Sequence, residues 1–203
     1  MNRQRIPREV ADKAQQRFYP SRDATMNGVA RLTWAVEFAQ EDVGQFTPGQ
    51  MLDAQTALTV FPGALVPGKN KQVEIFLEAE LIQAHQELKT MFDAWVTTGF
   101  YKRDNAPSSW ILENGSPRPS LTFQSRHEVS EVEQFVWRVF TLVYEYGDRI
   151  RVCPAPAKRG EPGEKCGRIF VGRTNQTYCS QLCQNRTGVQ AARKKAKGGS
   201  HGK

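Results

Sequence analysis

The sequence predicts an α+β protein: a mainly helical N-terminal domain with a small hairpin over residues 1–147, then a small cysteine-bearing module over 148–197. Three observations predict it. Apolar residues recur at spacings of three and four through 70–98 and again through 129–146. Between them, residues 110–124 carry Asn114-Gly115, Pro117 and Pro119, which reads as turn-rich chain. All four cysteines lie beyond Gly147, where the charge pattern also changes. The last six residues, 198–203, read as a disordered tail.

Taken in order, Pro7 to Phe18 reads as a short helix with Pro7 in its first turn. Tyr19-Pro20 breaks it. Leu32 to Phe38, with Trp34, Val36 and Phe38, reads as a strand, although Ala35 and Glu37 also suit a helix. Pro48-Gly49, Pro62-Gly63 and Pro67-Gly68 then read as a loop-rich connection. A long helix is predicted over Asn70–Thr98, with Val73, Phe76, Leu77, Leu81, Ala84, Leu88, Met91, Phe92 and Trp95 on one stripe. Glu74, Glu78, Glu80 and Glu87 fall mostly off it, and Gly99 marks its end. Trp110 to Gln124 reads as a loose hairpin. Another helix should run from about Val129 to Tyr146, opened by Ser130 and Glu133 at capping-box spacing. Val132, Phe135, Val136, Val139, Phe140, Val143 and Tyr144 form its apolar face.

Charge separates the two parts. From Gly147 onward there are 13 Lys and Arg against 3 Asp and Glu; the preceding residues carry 15 against 18. A mildly acidic body with a strongly basic end directs that end toward a polyanion, the plainer reading being a solubility tail. No run of 18 apolar residues is present, so no membrane span is expected. Met1 to Arg22 lacks the apolar centre of a secretory signal. Glu9, Asp12 and Asp23 also interrupt its arginines. A reducing cytoplasm is the expected location.

The cysteines, Cys153, Cys166, Cys179 and Cys183, are spaced C-x12-C-x12-C-x3-C. Four thiolates at about 2.3 Å satisfy a tetrahedral zinc ion, and a closed four-cysteine shell is of the structural kind. Two disulfides or four free thiols are the alternatives, the first disfavoured where no export signal precedes them. His85, His127 and His201 read as surface or helix-face residues, with His127 a substitute ligand only if Cys153 could not reach. Ser180 is a good helix N-cap, which places Cys183 in a first helical turn. Gly167 allows a tight turn after Cys166, and Ile169-Phe170-Val171 reads as a short strand. The order of turn, strand and ligand-bearing helix is that of a treble-clef-like zinc module. The residues between the first two cysteines, 154–165, read as a flexible loop.

Arg149-Ile-Arg151-Val-Cys153, Cys166-Gly-Arg-Ile-Phe170, Tyr178-Cys179-Ser180 and Cys183-Gln184-Asn185-Arg186 resemble the CGNR zinc-finger family. The resemblance covers about 50 residues in detail. It implies one structural zinc ion, a mainly helical N-terminal domain of the ABATE type, and a bacterial transcriptional regulator. The chain departs from the family pattern in the twelve residues that separate Cys153 from Cys166. It departs again at Gln184, where the signature has glycine.

Beyond Cys183 a basic helix is expected. Arg186, Gln190, Arg193 and Lys197 recur at three and four and share a face; Lys194 adjoins them, and Arg173 adds charge before Tyr178. Arg and Gln read base edges in a major groove while Lys neutralises phosphate, so double-stranded DNA is the expected partner. Asn185 and Arg186 equally suit hydrogen-bonded support of the metal knuckle. Residues 1–147 would then sense a small molecule, contact a protein partner or form a homodimer. No Gly-rich phosphate loop, nucleophile motif or His-carboxylate cluster is present, so no enzymatic activity is expected. The competing reading is an RNA-associated or protein-interaction module with a structural zinc and no sequence-specific DNA binding.

Overall fold

The chain divides at Gly147 into two units, Met1–Gly147 and Asp148–Lys203, in the computed structural model, which describes residues 3–61, 72–103, 110–113, 130–157 and 164–198. The first unit is helical with two short antiparallel ladders, and the second joins a hairpin to a helix. Among the described residues no helix is long and apolar enough to cross a membrane.

The first unit opens with β1 (Arg5–Pro7) and α1 (Arg8–Gln15), so Pro7 stands just before the helix rather than in its first turn. The stretch Leu32–Phe38, read as a strand, lies instead in α2 (Ala24–Phe38). Asp23 starts this helix by accepting from the N–H groups of Thr25 and Met26. Leu32, Ala35, Val36 and Ala39 are all buried, a helical rather than alternating pattern. The aromatic and β-branched content serves burial there, not pleating.

A second correction concerns the supposed loop after Phe46. Pro48–Val60 is helix α3, started by a reciprocal cap between Thr47 and Gln50 with Pro48 at the first helical position. Pro-Gly reads as a breaker, yet at a helix start the missing proline N–H is no loss. Pro62-Gly63 and Pro67-Gly68 lie outside the described residues.

The long helix also begins later than its apolar stripe. Residues Gln72–Glu74 form β2, antiparallel to β1, and α4 spans Glu78–Thr98. Tertiary partners hold the intervening backbone out of the helix. Ile75 N–H donates to the Gln4 carbonyl, Phe76 N–H to Thr59 Oγ1, and the Phe76 carbonyl accepts from buried Gln55. Glu80 then caps α4 through the Leu77 N–H, and Gly99 closes it with φ 68°, a left-handed conformation that glycine adopts at little cost.

The hairpin joins β3 (Phe100–Arg103) to β4 (Trp110–Glu113), so its first arm lies upstream of the predicted stretch. Asn114-Gly115 and the rest of that stretch fall outside the described residues. Helix α5 (Glu131–Tyr146) starts at the Ser130–Glu133 capping box. Its face is buried as the spacing requires, with Leu142 added and Tyr144 half-buried.

The core gathers rings from separate segments. Phe61 contacts Phe18 and Phe135 edge-on, and Trp34 stands edge-on to both Phe18 and Phe135. Helices α2 and α5 meet where Gly28 lies under Tyr146; a Cβ at Gly28 would stand 2.5 Å from Tyr146 Cε2.

Candidate metal centre

The second unit pairs β5 (Ile150–Val152) with β6 (Ile169–Val171) and then forms α6 (Gln181–Gly198). The residues read as a flexible loop between the first two cysteines continue this ladder for as far as they are described. The register that sets Ile150 opposite Val171 carries on beyond both strands. Cys153 N–H donates to Arg168 O, Cys166 N–H to Ala155 O, and Ala157 N–H to Glu164 O, with Pro156 bridged to Lys165. Cys153 and Cys166 therefore become diagonal neighbours across a ribbon, although twelve residues separate them in sequence. The described part of the insertion, 154–157 and 164–165, extends the ribbon beyond the cysteines instead of spreading them apart. Residues 158–163 lie outside the described residues. Gly167, with φ 66°, takes a left-handed conformation in this ladder that an L side chain would resist. Its N–H reaches back to the Cys153 carbonyl.

The third and fourth cysteines arrive by a helix start. Ser180 Oγ accepts from the Cys183 N–H at 3.3 Å, a cap that sets Cys183 in the first turn of α6 and leaves Cys179 just before it. Arg151 fixes the approach to this turn, its guanidinium donating to the carbonyls of Gln176 and Thr174. Gln176 in turn donates to Tyr178 O. Local spacing gives no sign of the Arg151 role, because it depends on the strand facing a turn more than twenty residues away.

The four Sγ atoms lie within 4.8 Å of one another. Cys179 to Cys183 is 3.5 Å, Cys166 to Cys183 is 3.8 Å and Cys166 to Cys179 is 3.9 Å. A tetrahedral ion with bonds of about 2.3 Å to sulfur has ligand–ligand edges of about 3.8 Å. The three separations among Cys166, Cys179 and Cys183 fit those edges, Cys153 Sγ lies within 4.8 Å of each, and all are far longer than a disulfide bond of about 2.05 Å. All four cysteines are free, so the disulfide alternative does not describe this fold. Cys153 and Cys183 are buried with Ala155 and Phe170, while Cys166, Cys179 and Tyr178 pack half-buried against them. A core this small has little else to hold it together.

The thiols are unlike one another. A hydrogen bond from the Ser180 side chain holds Cys183 down at about 7, against the effect of its burial. Burial pushes Cys179 up to about 12 and also raises Cys166. Further stabilisation of anionic sulfur comes from Arg186, whose Nη2 donates to Cys183 Sγ at 3.1 Å. The Cys179 N–H also points at Cys153 Sγ, at 3.5 Å. Four sulfurs thus converge on a volume that one metal ion would fill, with a cation bonded to one of them and a backbone donor to another.

Of the residues expected on nucleic acid, Arg186 faces inward. Besides Cys183, it donates to the Pro156 carbonyl at 3.0 Å and to the Leu182 carbonyl at 3.4 Å. Arg173 and Gln190 are exposed. Arg193, Lys194 and Lys197 lie on the α6 backbone, and their side chains are outside what the structure describes. Gln184, at the position of the signature glycine, is exposed and so fits without strain. His85 sits in the first unit against Phe38 and the Glu41 carbonyl. His127 and His201 lie outside the described residues.

No model of a known protein family, no curated protein and no solved structure matches the chain. The assignment therefore rests on geometry: the C-terminal unit is a four-cysteine module able to hold one metal ion.

Proposed function

We propose that this ion is zinc, that its role is structural, and that the module it holds presents a basic helix to double-stranded DNA in a transcriptional regulator of the CGNR type. The observation that carries the metal reading is the gathering of four sulfurs within 4.8 Å, three of them at separations that match the edges of a tetrahedral thiolate site. Zinc suits an all-sulfur tetrahedral site and has no redox chemistry of its own to manage. Cys153, Cys166, Cys179 and Cys183 would hold it, and it would supply the folding free energy that so small a core lacks. Four protein ligands leave no position for a metal-activated water, which supports a non-catalytic role.

The DNA reading rests on charge and anchoring. The basic excess beyond Gly147 is concentrated in the unit whose helix is tied to the cysteine cluster at its start. Its candidate contacts are Arg173, Gln190, Arg193, Lys194 and Lys197, while Arg186 contributes by holding the helix in place. Tyr178 packs against the cysteines rather than standing free, which gives no support to a base-stacking platform for single-stranded RNA. Residues 1–147 would supply regulation through a ligand, a protein partner or self-association.

Fluorescence anisotropy of the full zinc-loaded chain with duplex DNA and with folded RNA tests this, at about 50 and about 200 mM salt. The expected result is preferential duplex binding, weakened steeply by salt and abolished by chelator. Equal binding to both nucleic acids that ignores the chelator would replace it with the RNA-associated or protein-interaction reading.

A further inference from the structure

We propose that a cavity in the first unit, between α2, α3 and the segment joining them, is a binding site for a small organic cation. The cavity has a volume of about 260 Å³. Sites for drug-sized ligands run to about 300–1,000 Å³, so the occupant is smaller than those.

Its lining has two parts. The walls include the rings of Trp34, Phe38 and Phe46, the first two stacked with centroids 5.0 Å apart and 8° between planes. Ala54 and Ala57 line it as well and are buried, which adds apolar surface to the lining. Three exposed carboxylates, Glu37, Glu41 and Asp53, join the lining, against a single guanidinium from Arg17. Among the described residues none of these three carboxylates is held in an ion pair. Aromatic faces carry partial negative charge and attract cations, most strongly on Trp. Three carboxylates against one arginine leave the lining with an excess of two negative charges, so it favours a cation, and the aromatic wall suits an organic one.

The neighbourhood keeps that sign. His85 stands behind Phe38 with ring centroids 5.3 Å apart, and its Nε2 lies 3.0 Å from the Glu41 carbonyl. Burial lowers its pKa, so near neutral pH the ring adds no positive charge behind the aromatic wall. Contiguous residues carry no mark of this site: Trp34, Glu37 and Phe38 fall in the stretch that reads as a strand, and Gln50 and Asp53 in what reads as a loop-rich connection.

Benzyltrimethylammonium is a suitable probe, with benzyl alcohol and benzoate as neutral and anionic controls of similar size. The full chain, labelled for amide NMR and held near pH 7.5, is titrated with each. The expected result is saturable shifts at the amides of residues 34–41 and 46–54 with the cation alone. The double variant Glu37→Gln/Asp53→Asn, both exposed positions, weakens that binding roughly fivefold, the size expected when exposed charge pairs are lost. Its thermal melting reports that the fold is kept. Equal shifts from benzyl alcohol or benzoate would overturn the proposal. So would cation binding that the double variant leaves unchanged, or no saturable shift at these residues.

Discussion

Arg186 joins the two halves of the cysteine cluster: one terminal nitrogen donates to Cys183 Sγ at 3.1 Å and the other to the Pro156 carbonyl at 3.0 Å. Cys183 belongs to α6 and Pro156 to the ribbon arm beyond Cys153, so the guanidinium spans helix and hairpin while neutralising a ligand thiolate. A rigid planar fork presents two separate nitrogens to these two acceptors, whereas an ammonium offers only one. Residues that orient metal ligands from outside commonly change affinity by about 10–100-fold when replaced. Arg186→Gln should therefore speed zinc transfer to a chromogenic chelator by about tenfold or more, with Arg186→Lys intermediate. A rate equal to that of the unsubstituted chain would show that the contact is incidental.

Removing the metal should unfold one unit and spare the other. Structural zinc contributes roughly 10–16 kcal/mol to small modules, far more than the few buried side chains around the cysteines. Amide NMR spectra after chelation should lose the dispersed signals of residues 148–157 and 164–192 and keep those of the aromatic core around Trp34 and Phe135. Cys179→Ser should give the same spectrum with no chelator present. Retained dispersion in both cases would mean that the hairpin and helix stand without a metal.

Metal loading should be strongly pH-dependent. Zinc binds thiolates, so each protonated cysteine must lose its proton on loading. Cys183 titrates at about 7, while Cys179 is pushed to about 12 and Cys166 is raised. Below neutrality the metal-free module holds protons on all three, so affinity rises with pH. Between pH 6 and 8 the apparent log affinity should climb by more than one per pH unit. Calorimetry in buffers of different ionisation enthalpy counts the protons released, and a count of one or fewer would contradict the burial of these sulfurs.

Within the first unit, Gly28 marks a close approach of α2 to a ring of α5. A methyl group there would overlap the Tyr146 ring, with contacts of 2.5 and 2.8 Å to Cε2 and Cζ. Gly28→Ala should cost about 1–3 kcal/mol in thermal or urea unfolding, in spite of the gain in helix propensity. Pairing it with Tyr146→Leu should recover part of that loss. A stabilised single variant would mean that the ring moves aside freely.

Burial also tunes His85. Its pKa lies below the ordinary 6.5, because desolvation penalises the charged ring. The unfolded chain therefore binds the proton more readily than the folded one. The contribution of His85 is full above about 6.5 and is lost as pH falls through the folded pKa. NMR titration of the ring should place its midpoint below that of a histidine in a denatured peptide; a midpoint at or above it would refute the assignment.

What the sequence by itself determined was whatever neighbouring residues could encode. The cap of α5 at Ser130–Glu133, its buried face, the glycine that closes α4 and the Ser180 start of α6 were all legible from contiguous residues. Four cysteines confined to one segment announced a cluster. Tertiary structure decided the rest, where partners lie far apart in the chain. Phe76 leaves the apolar stripe of α4 because Gln55, 21 residues earlier, takes its carbonyl. Leu32–Phe38 is helical because the core offers a face to its three- and four-residue spacing, which outweighs the strand preference of its residues. Arg186 turns inward because Pro156, 30 residues away, presents a carbonyl beside the thiolate. Caps and stripes are local free-energy preferences that a sequence states directly, whereas the choice among competing hydrogen-bond partners is made only once packing brings them within reach.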